Sequence, residues 1–122
     1  MATNGVLGAR DLLATIPQAI YTNNNDMATV LSLNLINKSN VPGKFRVSIG
    51  TSPTVQSTDS YIEFETELLP KGVLERTGLV VSPGYYVVVR STVAPANAVC
   101  YGIEQGTQLT SNNITTNSTP SV

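Results

Sequence analysis

The feature that most constrains the fold is the alternation of apolar and polar residues along segment 27–36. Leucines occupy every second position at Leu31, Leu33 and Leu35, with small, polar or β-branched residues between them. Successive side chains of a β-strand point to opposite faces of a sheet, so a period of two predicts a strand. The leucine face of this strand is expected to point into the core.

Six further segments have strand character and are separated by clusters of Gly, Pro, Asn and Ser. They are 15–21, 44–50, 61–68, 73–81, 85–92 and 98–105. Pro17 restricts the first of them to a sheet edge, and the run Tyr86 to Val89 is typical of a central strand buried on both faces. The spacing predicts an all-β chain forming a single antiparallel β-sandwich of about seven to eight strands, immunoglobulin-like or jelly-roll-like.

The ends of the chain differ from this pattern. Residues 1–14 combine two glycines with a small apolar cluster and predict an N-terminal arm with one short helical turn. Residues 15–105 form the predicted sandwich domain. Residues 106–122 consist mainly of Gln, Thr, Ser and Asn, a composition that predicts a polar C-terminal tail outside the core.

Composition excludes several classes of partner. The 122 residues have a net charge of −1 and only 12% of them are charged, so no broad positive field attracts phosphate backbones or anionic lipid. We therefore expect neither nucleic acid nor membrane as a partner. The apolar pairs near the start are interrupted by Gly8, Arg10 and Asp11, which predicts no signal peptide, and no stretch is long enough to span a bilayer.

The residues for common catalytic and metal chemistry are missing. The sequence has no His and one Cys, so Ser-His-Asp and Cys-His arrangements and the usual zinc sites cannot form. Cys100 lies in an apolar run and is expected to be a buried structural thiol. We predict no catalytic, cofactor-binding or metal-binding residues, and a protein that is not an enzyme.

Three glutamates at alternate positions of segment 61–68 form the main carboxylate cluster. Glu63, Glu65 and Glu67 are expected to share one solvent face, about 7 Å apart. Such a set can serve as a glycosidase pair or a calcium site, but it lacks a desolvated cleft and a ligand-dense loop. We favour a solvated face paired with basic residues of adjacent strands. The candidate partners are Arg46, Arg76 and Arg90.

Carbohydrate binding stays open as a different class of function. Tyr85 and Tyr86 are aromatic neighbours that can stack on a sugar, and the loops 51–60 and 93–97 can form a recognition face. Packing within the sheet is the simpler interpretation of the two tyrosines.

Two short strings carry a family resemblance: Tyr61-Ile62-Glu63, and GVLERTG at residues 72–78. With them, the chain resembles a family of small β-sandwich virion structural proteins of tailed phages, cyanophages especially. The similarity covers roughly residues 5–105 and includes GARDLL at 8–13, NLIN at 34–37 and YGIE at 101–104. It implies a structural or adhesive particle component without catalytic residues. Glu75 and Arg76 are accordingly expected to serve folding or docking.

The resemblance further implies a place in the virion for a protein made in the host cytoplasm. We expect a capsid decoration or cement protein that stabilises the capsid lattice through its sandwich and terminal arms. Its expected partners are the major capsid protein or other virion proteins, and copies of itself in a homo-oligomer. A neck, tail or fibre component is the alternative within the particle, and a carbohydrate-binding adhesion module is the alternative outside this class.

Overall fold

A computed structural model describes residues 4–56 and 60–105, which form eight strands and no helix. The strands are β1 Asn4–Leu12, β2 Gln18–Thr22, β3 Thr29–Asn37, β4 Gly43–Gly50, β5 Tyr61–Leu68, β6 Val73–Val81, β7 Tyr86–Ser91 and β8 Ala96–Glu104. The predicted tail 106–122 and the loop positions 57–59 lie outside the described residues.

The eight strands make two four-stranded sheets that pack face to face. The first sheet has the order β1-β8-β3-β6, the second has the order β2-β7-β4-β5, and neighbouring strands are antiparallel throughout. The predicted all-β antiparallel sandwich is therefore confirmed. The short strand β2 lies at a sheet edge, as Pro17 just before it indicates.

The core lies between the inward faces of the two sheets. Leu31, Leu33 and Leu35 of β3 are each 1% exposed, which confirms the inward leucine face. From the second sheet, Phe45 and Val47 of β4 pack into the same core, together with Val87 and Val89 of β7. Such alternation follows from the pleat, because inward residues of both sheets must fill the space between them.

Strand β7 is buried on both faces, as predicted for a central strand. Val87 and Val89 belong to the core cluster, whereas Val88 is buried outside it. The loop after β4 reaches this strand, where the Nε2 of Gln56 donates to the carbonyl of Val88 at 2.9 Å.

The N-terminal segment corrects the sequence analysis. Residues 4–12 form β1, which pairs with β8 at the edge of the first sheet, and the predicted arm with a helical turn is wrong for these residues. Leu12 lies in the core. A Cβ at Gly8 would overlap the carbonyl oxygen of Ile20, so this glycine allows β1 to approach β2 closely. Gly8, one of the two glycines on which the predicted arm is based, is thus needed for β1 to pack against β2.

Two arginines link the sheets along the two open sides of the sandwich. Arg10 and Arg76 are register partners of the core residues Ala98 and Leu33, and their side chains therefore point between the sheets. The Nη1 of Arg10 donates to the carbonyl of Ala19 on β2 at 3.0 Å. The Nη1 of Arg76 donates to the carbonyl of Ile62 on β5 at 3.1 Å. Each side is thus closed by a guanidinium bound to the facing sheet.

Two buried asparagines hold the turns. The Nδ2 of Asn23 donates to the carbonyls of Met27 and Val81, both at 2.9 Å. The Nδ2 of Asn37 donates to the carbonyls of Val41 at 2.8 Å and Leu68 at 3.0 Å. Turn carbonyls are thereby satisfied inside the protein, as buried backbone groups require.

The close approach at Gly8 predicts that Gly8→Ala is destabilising. The added methyl must displace the backbone of β2, and we expect the free energy of unfolding to fall by about 1–3 kcal/mol. Urea unfolding followed by circular dichroism measures the change. Ala9→Val is the matched control. Ala9 is exposed on the outer face of the same strand, so added methyl groups there do not meet the backbone of β2. A Gly8→Ala variant as stable as the parent would contradict the packing role.

Candidate binding surface

The outer face of the first sheet exposes a continuous apolar row. Val80, Val30 and Ile103 are register partners on the adjacent strands β6, β3 and β8. They are 58%, 39% and 56% exposed, respectively. Two further exposed valines, Val6 on β1 and Val73 on β6, have outward register partners on the same face. Isolated exposed valines are common, but a contiguous row across three strands is typical of an interaction surface.

This face carries little charge. Among the described residues, its outward positions include only two carboxylates, Asp11 and Glu75, and no basic residue. Both carboxylates have partners. Asp11 pairs with Lys38 at 3.1 Å, and Glu75 accepts a hydrogen bond from the hydroxyl of Tyr101 at 2.6 Å. That hydrogen bond raises the pKa of Tyr101.

The outer face of the second sheet is charged instead. Its outward residues include Lys44, Arg46, Glu65, Glu67 and Arg90. Arg46 forms an ion pair with Glu65 across β4 and β5. The hydrogen bond of this pair raises the pKa of Arg46 and lowers the pKa of Glu65. The two outer faces of the sandwich therefore differ sharply in character.

An aromatic cluster lies beside this ion pair. Tyr61 and Phe64 meet edge to face with ring centroids 4.9 Å apart, and the guanidinium carbon of Arg46 lies 4.7 Å from the centroid of Phe64. Phe64 is 57% exposed, although the alternation of segment 61–68 predicts an inward side chain. Its exposed ring is a second candidate for binding.

Glu63, Glu65 and Glu67 do not share the solvent face that the sequence predicts. Glu63 is the register partner of the core residue Val47, and its side chain is only 16% exposed. It forms an ion pair with Arg76 of the facing sheet. Irregular register on both sides of Val47 and a left-handed backbone at Glu65, with φ 55°, break the alternation of β5. Bulges of this kind have no clear signal in the sequence.

Two of the three candidate arginines pair with these glutamates, but pairing between adjacent strands, as predicted, is confirmed for Arg46 alone. Arg46 binds Glu65 on the neighbouring strand, and Arg76 binds Glu63 across the sandwich. Arg90 instead donates from its Nε to the carbonyl of Thr15 at 3.3 Å. Arg76 therefore has a structural contact, and Glu75 lies on the apolar outer face.

Tyr85 and Tyr86, the candidate residues for stacking on a sugar, are not members of the cluster formed by Tyr61, Phe64 and Arg46. Tyr86 is half-buried in β7, where its register partners are Thr22 and Gly50. Tyr85 is more exposed and precedes the strand, with its carbonyl accepting a hydrogen bond from the amide of Asn23 at 3.0 Å. The aromatic pair in direct contact is Tyr61 with Phe64, which the sequence analysis did not single out.

Reactive groups are held in the interior. Cys100 is fully buried, as predicted, and burial raises the pKa of its thiol to about 11. Tyr21 is also buried, and its pKa is raised to about 12 by burial and by a hydrogen bond to Glu104. Within residues 4–56 and 60–105, no group of three or more His, Cys, Asp or Glu side chains is placed to hold a metal ion. No helix in these ranges could cross a membrane.

Comparisons with known proteins return no relative. No protein-family model, no curated protein and no solved structure matches the chain.

The ion pair between Arg76 and Glu63 predicts a measurable loss of stability in Arg76→Met. The variant leaves an enclosed carboxylate without its partner and removes a donor from the carbonyl of Ile62. We expect the free energy of unfolding to fall by about 1–2 kcal/mol, because solvent screens the exposed part of the guanidinium. Urea unfolding gives this value.

A double-mutant cycle identifies the cause. Adding Glu63→Gln to Arg76→Met removes the unpaired charge, so it should recover part of the lost stability. Lys44→Met is the control, since Lys44 is an exposed cation on an outer face and forms no ion pair with any described residue. If Arg76→Met and Lys44→Met lose equal stability, the pair between the sheets has no special role.

The pair between Glu65 and Arg46 predicts a pH-dependent effect of Glu65→Gln. The pKa of Glu65 is lower in the folded protein, so its stabilisation is present above the unfolded pKa. That stabilisation is lost as the pH falls through the folded pKa. The midpoint of thermal unfolding should therefore be lower for the variant near pH 7 and equal to the parent's at strongly acidic pH.

Glu67→Gln is the control for this measurement. Glu67 is exposed and forms no ion pair with any described residue, so its substitution should change the midpoint little at neutral pH. An unchanged difference between Glu65→Gln and the parent across the pH range would contradict the proposed linkage.

Proposed function

We propose that this protein is a non-enzymatic structural component of a bacteriophage virion, a decoration or cement protein of the capsid. The observation that carries the proposal is the outer face of the first sheet, which has few charges and exposes the apolar row Val80, Val30 and Ile103. Apolar area with few charges at its centre is the composition of protein–protein interfaces. The resemblance in GVLERTG and the neighbouring strings supplies the virion setting.

The sandwich suits such a role physically. Strand pairing holds each sheet together, and the shared core and the links from Arg10 and Arg76 join the two sheets, so a docking face on the sandwich is preorganised. Preorganisation lowers the entropy that binding must overcome. When many copies bind neighbouring sites on one shell, weak individual contacts combine through avidity. A small module can therefore reinforce a lattice without large interfaces of its own.

The terminal segments enter this proposal differently from the sequence-based expectation. Residues 4–12 belong to the first sheet, so deleting residues 1–14 would remove an edge strand and expose β8. Loss of particle association in such a deletion would report unfolding as much as docking. Substitutions of outward side chains are the appropriate variants for this protein.

Carbohydrate binding is the second candidate, favoured by the exposed ring of Phe64 beside Tyr61 and Arg46. Aromatic rings stack on the apolar faces of sugars, and an adjacent guanidinium can donate to hydroxyls. Glycan-array binding by the isolated protein that is lost in Phe64→Ala would support this function. Tyr85→Ala is the matched control, since Tyr85 lies outside the Phe64 cluster.

The decoration proposal predicts a high copy number in the particle. A protein that covers the shell should approach the abundance of the major capsid protein, since it repeats with the lattice. Quantitative mass spectrometry of purified particles measures the ratio, and immunogold labelling gives the location. Copies far fewer than the capsid protein would favour a neck, tail or fibre component. Absence from purified particles would contradict every virion role.

A further inference from the structure

We infer that the outer face of the first sheet is the interface between two copies of this chain, packed face to face around a two-fold axis. The inference names the first partner of the face on which the proposed function depends. Three properties of that face support it: the small number of charges on it, the residues that a two-fold axis brings into contact, and its area.

The charges favour a like partner over an unlike one. Both carboxylates of the face, Asp11 and Glu75, already have partners within the same copy. The strand positions of the face include no basic residue among those described, and the ammonium of Lys38 that reaches the face is already paired with Asp11, so the face offers no unpaired cation to an acidic partner. A second copy of the same largely apolar surface matches it without new charge pairs.

Two-fold symmetry brings the apolar residues together. Let the axis run along the strands, between the central strands β3 and β8 of the first sheet. Strand β3 of one copy then lies over β8 of the other, and Val30 lies over Ile103 of the other copy. Because the interface is isologous, this contact occurs twice. The centre of the exposed row thus packs against the centre of the same row of the other copy, while Val80 lies at the level of Asn4 of the other copy.

The same axis keeps the carboxylates apart. Strand β6 of one copy lies over β1 of the other, because these are the two outer strands of the sheet. From the register, Glu75 then lies at the level of Ala9 of the other copy, and Asp11 at the level of Val73. No carboxylate lies directly opposite another: Asp11 of the other copy is the next outward position after Ala9, about 7 Å along the strand from the point opposite Glu75. Lys38 neutralises that Asp11 within its own copy, which limits its repulsion of Glu75.

The area is sufficient for association. Each of the four strands of the first sheet has nine residues. Four strands of this length cover about 19 Å by about 30 Å, or roughly 570 Å² of flat surface, and the pleat increases the accessible area. Specific interfaces begin at roughly 600 Å² per partner. The face is large enough for a modest dimer with sheets about 10 Å apart, the spacing within the sandwich itself.

The second sheet does not offer an equivalent surface. Its outer face carries the ion pair of Arg46 with Glu65, and Gln56 from the loop after β4 reaches over it. Packing two such faces together would bury several charges, which costs free energy. Self-association is therefore assigned to the first sheet, whose outer face has fewer charged residues than that of the second.

The experiment is sedimentation equilibrium of the purified full chain over a range of concentrations. We expect a monomer–dimer equilibrium, weakened at least about tenfold by Ile103→Lys, which places a charge in the centre of the interface. Val55→Lys is the matched control. Val55 is similarly exposed but lies in the loop after β4, so its substitution should leave the equilibrium unchanged. Thermal unfolding of each variant checks that it is folded.

Cross-linking tests the geometry independently. Ser32 points outward from β3 beside the proposed axis, and Ser32→Cys should be joined to its copy by a bismaleimide that spans about 10 Å. The native Cys100 is buried, and Val55→Cys gives the background. If Ile103→Lys fails to fold, efficient cross-linking of Ser32→Cys alone still supports the interface.

Three results would overturn the inference: a monomer at all concentrations, a dimer that Ile103→Lys leaves intact, or cross-linking no better at Ser32→Cys than at Val55→Cys. These results are distinct from failure of the proposed function. A monomer that is abundant in particles would refute only the dimer. A dimer that is absent from particles would support the interface and refute only the virion role.

Discussion

The inward face of β3 is the constraint on which the rest of the structure depends. Leu31, Leu33 and Leu35 are almost completely buried, and β3 is paired on both sides, by β8 and β6. Water is excluded from these leucines only when a second sheet covers them, and β4 and β7 supply that cover with their own inward residues. Once this contact forms, the pleat directs the alternate residues of every strand outward.

The chemical character of the outward residues then determines what each outer face can bind. In the second sheet they include three basic and two acidic residues, and a loop reaches over Val88. In the first sheet they are mainly apolar or uncharged, and the few carboxylates have partners within the same copy. A folded protein gains nothing from apolar residues directed to water, so this asymmetry is the reason for proposing an interface.

The open sides of the sandwich are held by polar contacts where apolar ones would be expected. Arg10 and Arg76 occupy inward positions of the two edge strands of the first sheet and bind backbone carbonyls of the second. An arginine tolerates this position because its guanidinium reaches solvent at the rim while its stem packs inside. Arg76 also forms an ion pair with Glu63 of the second sheet. Glu63, which the sequence places in a solvent-exposed acidic cluster, therefore helps to join the two sheets.

Local sequence determined most of the fold: the strands after residue 15, the inward leucines, the central position of β7 and the burial of Cys100. These follow from period-two alternation and from apolar runs, which act over a few residues. Only the tertiary structure decided that residues 4–12 form a strand, that Glu63 points inward and that Phe64 is exposed. Strand β1 requires the close approach of Gly8 to β2. The inward Glu63 and the exposed Phe64 require the irregular pairing of β5 with β4. Such contacts join residues far apart in sequence, so no local pattern of residues could specify them.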